Sequence, residues 1–394
     1  MPSTASHSAP ATSVQRLASA PSPWLRSPAW DGFWLLSGLW LPVLLLLLPD
    51  GPAQLLILGL TLCGWLAHRF ASVWLALSAA AYRPVLQARP GYFWGLPLLL
   101  GASLLLVVFG PDSLWPGSRL QRFAALMLLD YLFSLYHFAM QHYGVLALYR
   151  SRLPHGQQNR HLQRMDWWLC LLVSGALALL LDLLHGDLNV FFGLPTPPVA
   201  APIVGGLRLL LGVAIVSFWG WQSWQYRCQQ QGLPRLLYLS SLCGLGLLSL
   251  LISPLLYLVL IQIQHWLVAL GISGHMLSHS QTAGHQRSPW PALAGLVLLS
   301  CLLTPVLEAD YYILHGFNLE VLAVSGLLAQ LSWEPAVYAL GCLGLFSSWL
   351  HYIYDRGVFR LADPLTRRAA LSLLRPADTG AKSPENLGPA CVLE

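Results

Sequence analysis

Residues Leu236–Ser280 read LLYLSSLCGLGLLSLLISPLLYLVLIQIQHWLVALGISGHMLSHS and contain no Asp, Glu, Lys or Arg. One α-helical membrane crossing needs roughly 20 apolar residues, and this run is too long for one. Ser253-Pro254 divides it, because proline lacks the N–H that would continue the hydrogen-bond ladder. The stretch therefore predicts two consecutive helices, 235–253 and 255–279. The fold class that follows is all-α, a polytopic transmembrane helix bundle.

Outward from that stretch, the same criterion predicts further spans at 31–49, 53–80, 92–110, 122–149, 167–184, 203–226, 291–307 and 319–354. The last is interrupted at Trp333-Glu334-Pro335, which splits it into a short re-entrant piece and a span. The total is about ten crossings, with about eight as the lower bound. Composition agrees. Of 394 residues, 56% are hydrophobic and only 9% charged, where a soluble domain carries about a quarter charged residues. That balance excludes a soluble enzyme, a disordered regulator and a nucleic-acid binder. Residues 1–28, rich in Ser, Ala and Pro, are predicted to be a disordered tail. Residues 29–360 form the transmembrane domain, and 361–394 a second tail.

Arginine placement orients the bundle. Arg16 and Arg26 precede the first span, and Arg83, Arg89, Arg150, Arg152, Arg160, Arg164, Arg227, Arg235, Arg287, Arg356 and Arg360 follow in alternate loops. Asp50, Asp112, Asp182, Asp187, Glu308, Asp310 and Glu320 hold the other side. Basic loops stay in the cytoplasm, so both termini are expected there. Arg119 and Arg122 are the exceptions. The seven cysteines are scattered without a CxxC pair, which points to neither a disulfide framework nor a thiolate metal site.

The chain carries 13 histidines against 16 acidic residues, a surplus that demands a function because titratable groups inside lipid are costly. On the predicted topology His68, His137, His142, His275, His279 and His351 all fall in the cytoplasmic half. These six are the candidate metal ligands. His275 and His279 are four apart and share one helix face, as do His351 and Asp355. His265, ten residues before His275, is about 15 Å away along a straight helix and is assigned to a deeper channel or supporting layer. Asp355 and Asp130 are the candidate catalytic carboxylates, Asp130 as an orienter of a ligand and Asp355 as a ligand or its support. Imidazoles and carboxylates without thiolates suit iron, zinc or copper, and an oxygen-using non-haem iron site matches that donor set.

Tyr136-His137-Phe138-Ala139-Met140 resembles the His-Phe-x-Met segment of the Brp/Blh-type membrane β-carotene 15,15′-dioxygenases, and Gly274-His275-Met276 resembles their late Pro-His-Met segment. Their early Pro-His-Gly motif is missing here, and Ala67-His68-Arg69 stands at a comparable place. The resemblance implies a polytopic, iron-dependent protein that cleaves a carotenoid. His275-x-x-x-His279 also fits the first histidine box of fatty-acid desaturases, but nothing fits their HxxHH box.

The function expected from the sequence is a membrane-embedded non-haem iron oxygenase with one or two ions. Its substrate is lipid-soluble: a carotenoid, an isoprenoid or an acyl chain. Its partners are dioxygen, membrane lipids and, for some of these reactions, an electron donor. Two rivals remain open: a proton- or metal-coupled transporter or channel with a histidine-lined path, and a haem-binding membrane subunit.

Overall fold

The computed structural model describes residues 22–47, 52–153, 160–178, 180, 201–229, 232–252, 254–279, 288–307 and 334–374. Residues 1–21 and 375–394, with His155, His185, His285 and His315, lie outside them.

The described residues form helices and no strand. After a π-helical turn, Asp31–Leu35, come α1 (Ser37–Leu47), α2 (Pro52–Ser78), α3 (Arg83–Ala88) and α4 (Leu96–Phe109). Next are α5 (Arg119–Arg150) and α6 (Arg160–Cys170), the latter continued by a π-helical segment, Leu171–Ala176. The chain goes on through α7 (Ala201–Gln229), α8 (Leu233–Leu248), α9 (Pro254–Ser278), α10 (Trp290–Leu307), α11 (Glu334–Phe359) and α12 (Pro364–Leu374).

Helix occupies the described part of every predicted span. α8 ends before the predicted break and α9 opens on Pro254, while α11 begins at Glu334 within the predicted interruption. Among the described residues, four helices are long and apolar enough to cross a membrane: Gly91–Phe109, Arg119–Arg150, Pro202–Arg227 and Glu334–Phe359. Their outer faces carry exposed apolar side chains, such as Leu209, Leu210, Val213 and Val216 on α7.

Sequence chemistry sets the local joints. α5 starts with a capping box, in which Gln121 N–H donates to Ser118 Oγ (3.3 Å) and Ser118 N–H to Gln121 Oε1 (2.8 Å). Gly117, at φ 88°, turns the chain into that cap, a backbone angle that glycine adopts without a Cβ clash. Gly344 on α11 lies against the Leu307 carbonyl at the end of α10, where a Cβ would collide with backbone.

The two misplaced arginines have local work. Arg122 pairs with Asp112 at 2.9 Å and donates to the Trp115 and Val108 carbonyls, covering the end of α4. Arg119 pairs with Glu334 at 3.6 Å and lies over the Phe109 and Tyr338 rings. Cation placement near a helix C-terminus satisfies its free carbonyls and dipole, so these charges answer to packing rather than to topology.

Residues 25–26 and 364–374, expected within the two tails, are packed on the bundle. Asp31 is wholly buried and accepts from Leu25 N–H (2.8 Å), Arg26 N–H (3.1 Å) and the Tyr149 hydroxyl (3.1 Å), which pins residues 25 and 26 to the bundle. At the other end α12 buries Ala369, Ala370, Leu373 and Leu374. Its start is set by Asp363, which accepts from Thr366 N–H at 2.9 Å and pairs with Arg89. Burial alone would raise the Asp363 carboxyl, but the Thr366 bonds and Arg89 outweigh it and hold its pKa below the usual value. A depressed carboxylate stabilises the fold above its unfolded value, near pH 4, and that contribution is lost as pH falls further. Protection of the amides in residues 364–374, relative to their intrinsic exchange rates at each pH, is therefore expected to fall below about pH 4. In Asp363→Asn that protection is expected to be low at every pH; protection that still falls below about pH 4 as in the wild type would contradict the anchor.

Candidate metal centre

The four helices α2, α5, α9 and α11 pack on one another: α9 and α11 both lie against α2, and α5 touches α9 and α11. Each sends one histidine inward: His68 from α2, His137 from α5, His265 from α9 and His351 from α11. One ring nitrogen of each lies within 4.8 Å of the equivalent atom of the other three. Nε2 of His265 is 3.0 Å from Nε2 of His68, and Nε2 of His351 is 3.0 Å from Nε2 of His137. The His68 ring sits 4.2 Å from His351 and 4.7 Å from His265, centroid to centroid.

The two 3.0 Å contacts suit neighbouring ligands of one ion. With metal–nitrogen bonds of about 2.0–2.1 Å, two imidazole nitrogens at neighbouring coordination positions are about 3.0–3.4 Å apart. The tautomers suit it too. A carbonyl only accepts, so the 3.0 Å contact between His68 Nδ1 and the Trp65 carbonyl places the proton on Nδ1 and leaves a lone pair on Nε2. Asp355 lies 3.5 Å from His351 Nδ1 and 3.4 Å from His137 Nε2. A carboxylate beside the outer nitrogen of a ligating histidine orients the ring and raises its basicity.

Aromatic side chains border the group on one side. Phe138 faces His265 with ring centroids 4.2 Å apart, and Trp65 stacks on Trp266 at 5.9 Å. Arg69 lies over Trp65 and donates to Ser347 Oγ at 3.0 Å. His68, His265 and His351 are buried, whereas the His137 side chain keeps 13% of its surface exposed. Phe133 and Tyr136, on the preceding turn of α5, are about half exposed on its outer face.

No family model matches this chain. No curated protein and no solved structure matches it either. The centre is accordingly described from its own residues.

Of the six histidines expected as ligands, the structure brings together His68, His137 and His351. The fourth member is His265, which the sequence reading had placed elsewhere. His142 is a neighbour outside the group, its ring 6.2 Å from that of His265 and its Nδ1 2.6 Å from the Tyr238 hydroxyl. His275 and His279 do not belong to the group. They form their own pair, 4.7 Å between rings, near the end of α9, where Arg26 and Leu374 border His275. Ten residues of helix separate His275 from His265, about 15 Å of rise, and one ion does not span that. Asp130 accepts from Ser348 Oγ at 2.9 Å and stands behind Tyr352, whose ring lies 4.9 Å from His137. It reaches the group only by way of Ser348 and Tyr352 on α11, while Asp355 lies beside the rings.

Proposed function

We propose that this chain is an integral membrane metalloenzyme, a histidine-ligated non-haem iron oxygenase acting on a lipid-soluble substrate such as a carotenoid, an isoprenoid or an acyl chain. The observation that carries this reading is the convergence of four imidazoles from four helices. Ten crossings with both termini in the cytoplasm belong to the same proposal. It is supported by the four long apolar helices and by the arginine-rich alternate loops.

Iron bound among these imidazoles would supply dioxygen activation, one of the uses of a site with open coordination positions. The chain's own residues do the rest. The Trp65 carbonyl fixes the His68 ring, Asp355 lies beside the His351 and His137 rings, and Phe138, Trp65 and Trp266 give the group an aromatic flank. The exposed edge of His137, next to Phe133 and Tyr136, gives an apolar molecule access from the bilayer side. Two rivals are less well supported. Four imidazoles in mutual contact fill the plane that a porphyrin ring would need. An ion path calls for groups stepping across the bundle, whereas these nitrogens meet at one point.

Purified protein supplied with β-carotene in mixed micelles is expected to consume it under air and not under argon, with activity lost in His68→Ala. Protein that holds metal but leaves β-carotene unchanged would exclude the carotenoid as substrate. A second test separates the two histidine groups. The double variant His275→Ala/His279→Ala is expected to keep its full metal content by elemental analysis; loss of the ion would move the centre to the end of α9.

A further inference from the structure

The outer nitrogens of the four histidines are not equally provided for. Nδ1 of His68 has the Trp65 carbonyl at 3.0 Å, whereas Nδ1 of His351 makes no hydrogen bond among the described residues and has only the Asp355 carboxylate 3.5 Å away. His265 is wholly buried, its Nε2 turned to His68, and its Nδ1 has no hydrogen-bond partner among the described residues. The neighbouring ring of His142 is also wholly buried, and its Nε2 likewise lacks a partner among the described residues. The two rings lie 6.2 Å apart, inclined at 72°.

Buried polar atoms in native proteins are almost always satisfied, and a cluster of unpaired ones marks an ordered water or an ion. One water needs two to four polar partners, and Nδ1 of His265 with Nε2 of His142 supplies two. The geometry points to His142 as a positioning residue for the metal centre: through one bridging water it holds the Nδ1 proton of His265 and so keeps Nε2 of His265 aimed at the ion. This inference rests on the metal-centre reading and adds the device that fixes its fourth ligand.

Donor and acceptor roles run in one direction. A neutral His265 that ligates through Nε2 carries its proton on Nδ1 and donates it to the water. The water donates to Nε2 of His142, which leaves the His142 proton on Nδ1. That proton is donated to the Tyr238 oxygen, 2.6 Å away. Tyr238 is itself wholly buried on α8, so it gives the relay a fixed end.

The test uses the full-length protein in detergent, loaded with Cu2+ and read by pulsed electron paramagnetic resonance, which detects the remote nitrogen of each ligating imidazole. His142→Leu is expected to retain about one ion and the same number of coordinated nitrogens, with affinity lower by about 10–100-fold. The remote-nitrogen signal of one imidazole is expected to change, and His142→Gln is expected to restore most of both properties. Tyr238→Phe is expected to move both in the same direction as His142→Leu, by less. If His142→Leu does not fold, Tyr238→Phe decides, an unchanged remote-nitrogen signal there counting against the relay. Unchanged affinity and signal in His142→Leu would overturn the inference, as would loss of a coordinated nitrogen, which would make His142 a ligand. If wild-type protein takes up no Cu2+, the metal-centre reading itself fails, and that outcome is separate from the variant results.

Discussion

His265→Ala is expected to abolish metal binding, although the sequence alone placed this residue outside the ligand set. Its Nε2 is one of two contacts at 3.0 Å that close the group, and it is the sole contribution of α9. Losing a partner one layer out from a metal typically costs 10–100-fold in affinity, so losing a ligand is expected to cost more than about 100-fold. The effect has a stability readout as well. An ion at 100 times its dissociation constant stabilises the native state by about 2.7 kcal/mol. Added metal should therefore raise the thermal midpoint of wild-type protein in detergent and leave that of His265→Ala where it is. Equal shifts in both proteins would remove His265 from the centre.

Asp166→Ala is expected to cause the largest loss of fold stability. Asp166 is wholly buried between Arg150 of α5 and Arg235 of α8; Arg235 Nη2 lies 2.6 Å from one carboxylate oxygen, and Arg150 pairs with the other. Arg235 also donates to Gln222 of α7 at 3.1 Å, so four helices meet on this cluster. Removing the carboxylate leaves two buried guanidinium groups without their counter-charge. Breaking a buried pair in this way typically costs about 3–5 kcal/mol. Thermal unfolding followed by tryptophan fluorescence measures it, with Asp166→Asn expected to lose less because it keeps an acceptor. A loss under about 1 kcal/mol, the value of an exposed pair, would show that the cluster is solvated.

Much of the fold is legible in the sequence because hydrophobic length and proline act locally. The uncharged run 236–280 and its Pro254 break foretell α8 and α9, and the Trp333-Glu334-Pro335 interruption foretells the start of α11. The tails are less legible because packing decides where they end. Even so, Asp363-Pro364 is a helix-start signal, and Ala369, Ala370, Leu373 and Leu374 form an apolar stripe at helical spacing.

The histidine centre is half legible. Attention to the i, i+4 pair His275/His279 fixed the expected depth at the helix end, yet depth is measured by residue count. His137 lies thirteen residues before the end of α5, and His265 thirteen before the end of α9, about 20 Å in each case. His275 is only three residues from that end. Counting back from the predicted helix ends would have paired His265 with His137. Which faces of α2, α5, α9 and α11 turn toward one another is a matter of tertiary packing and has no local signal.

The most direct test of the metal centre is the metal content of purified wild-type protein in detergent, measured by elemental analysis after expression with supplemented iron. The expected result is about one transition-metal ion per chain, retained on gel filtration and lost in His265→Ala. Wild-type protein that emerges without stoichiometric metal, and takes up none when iron, zinc or copper is added, would contradict it.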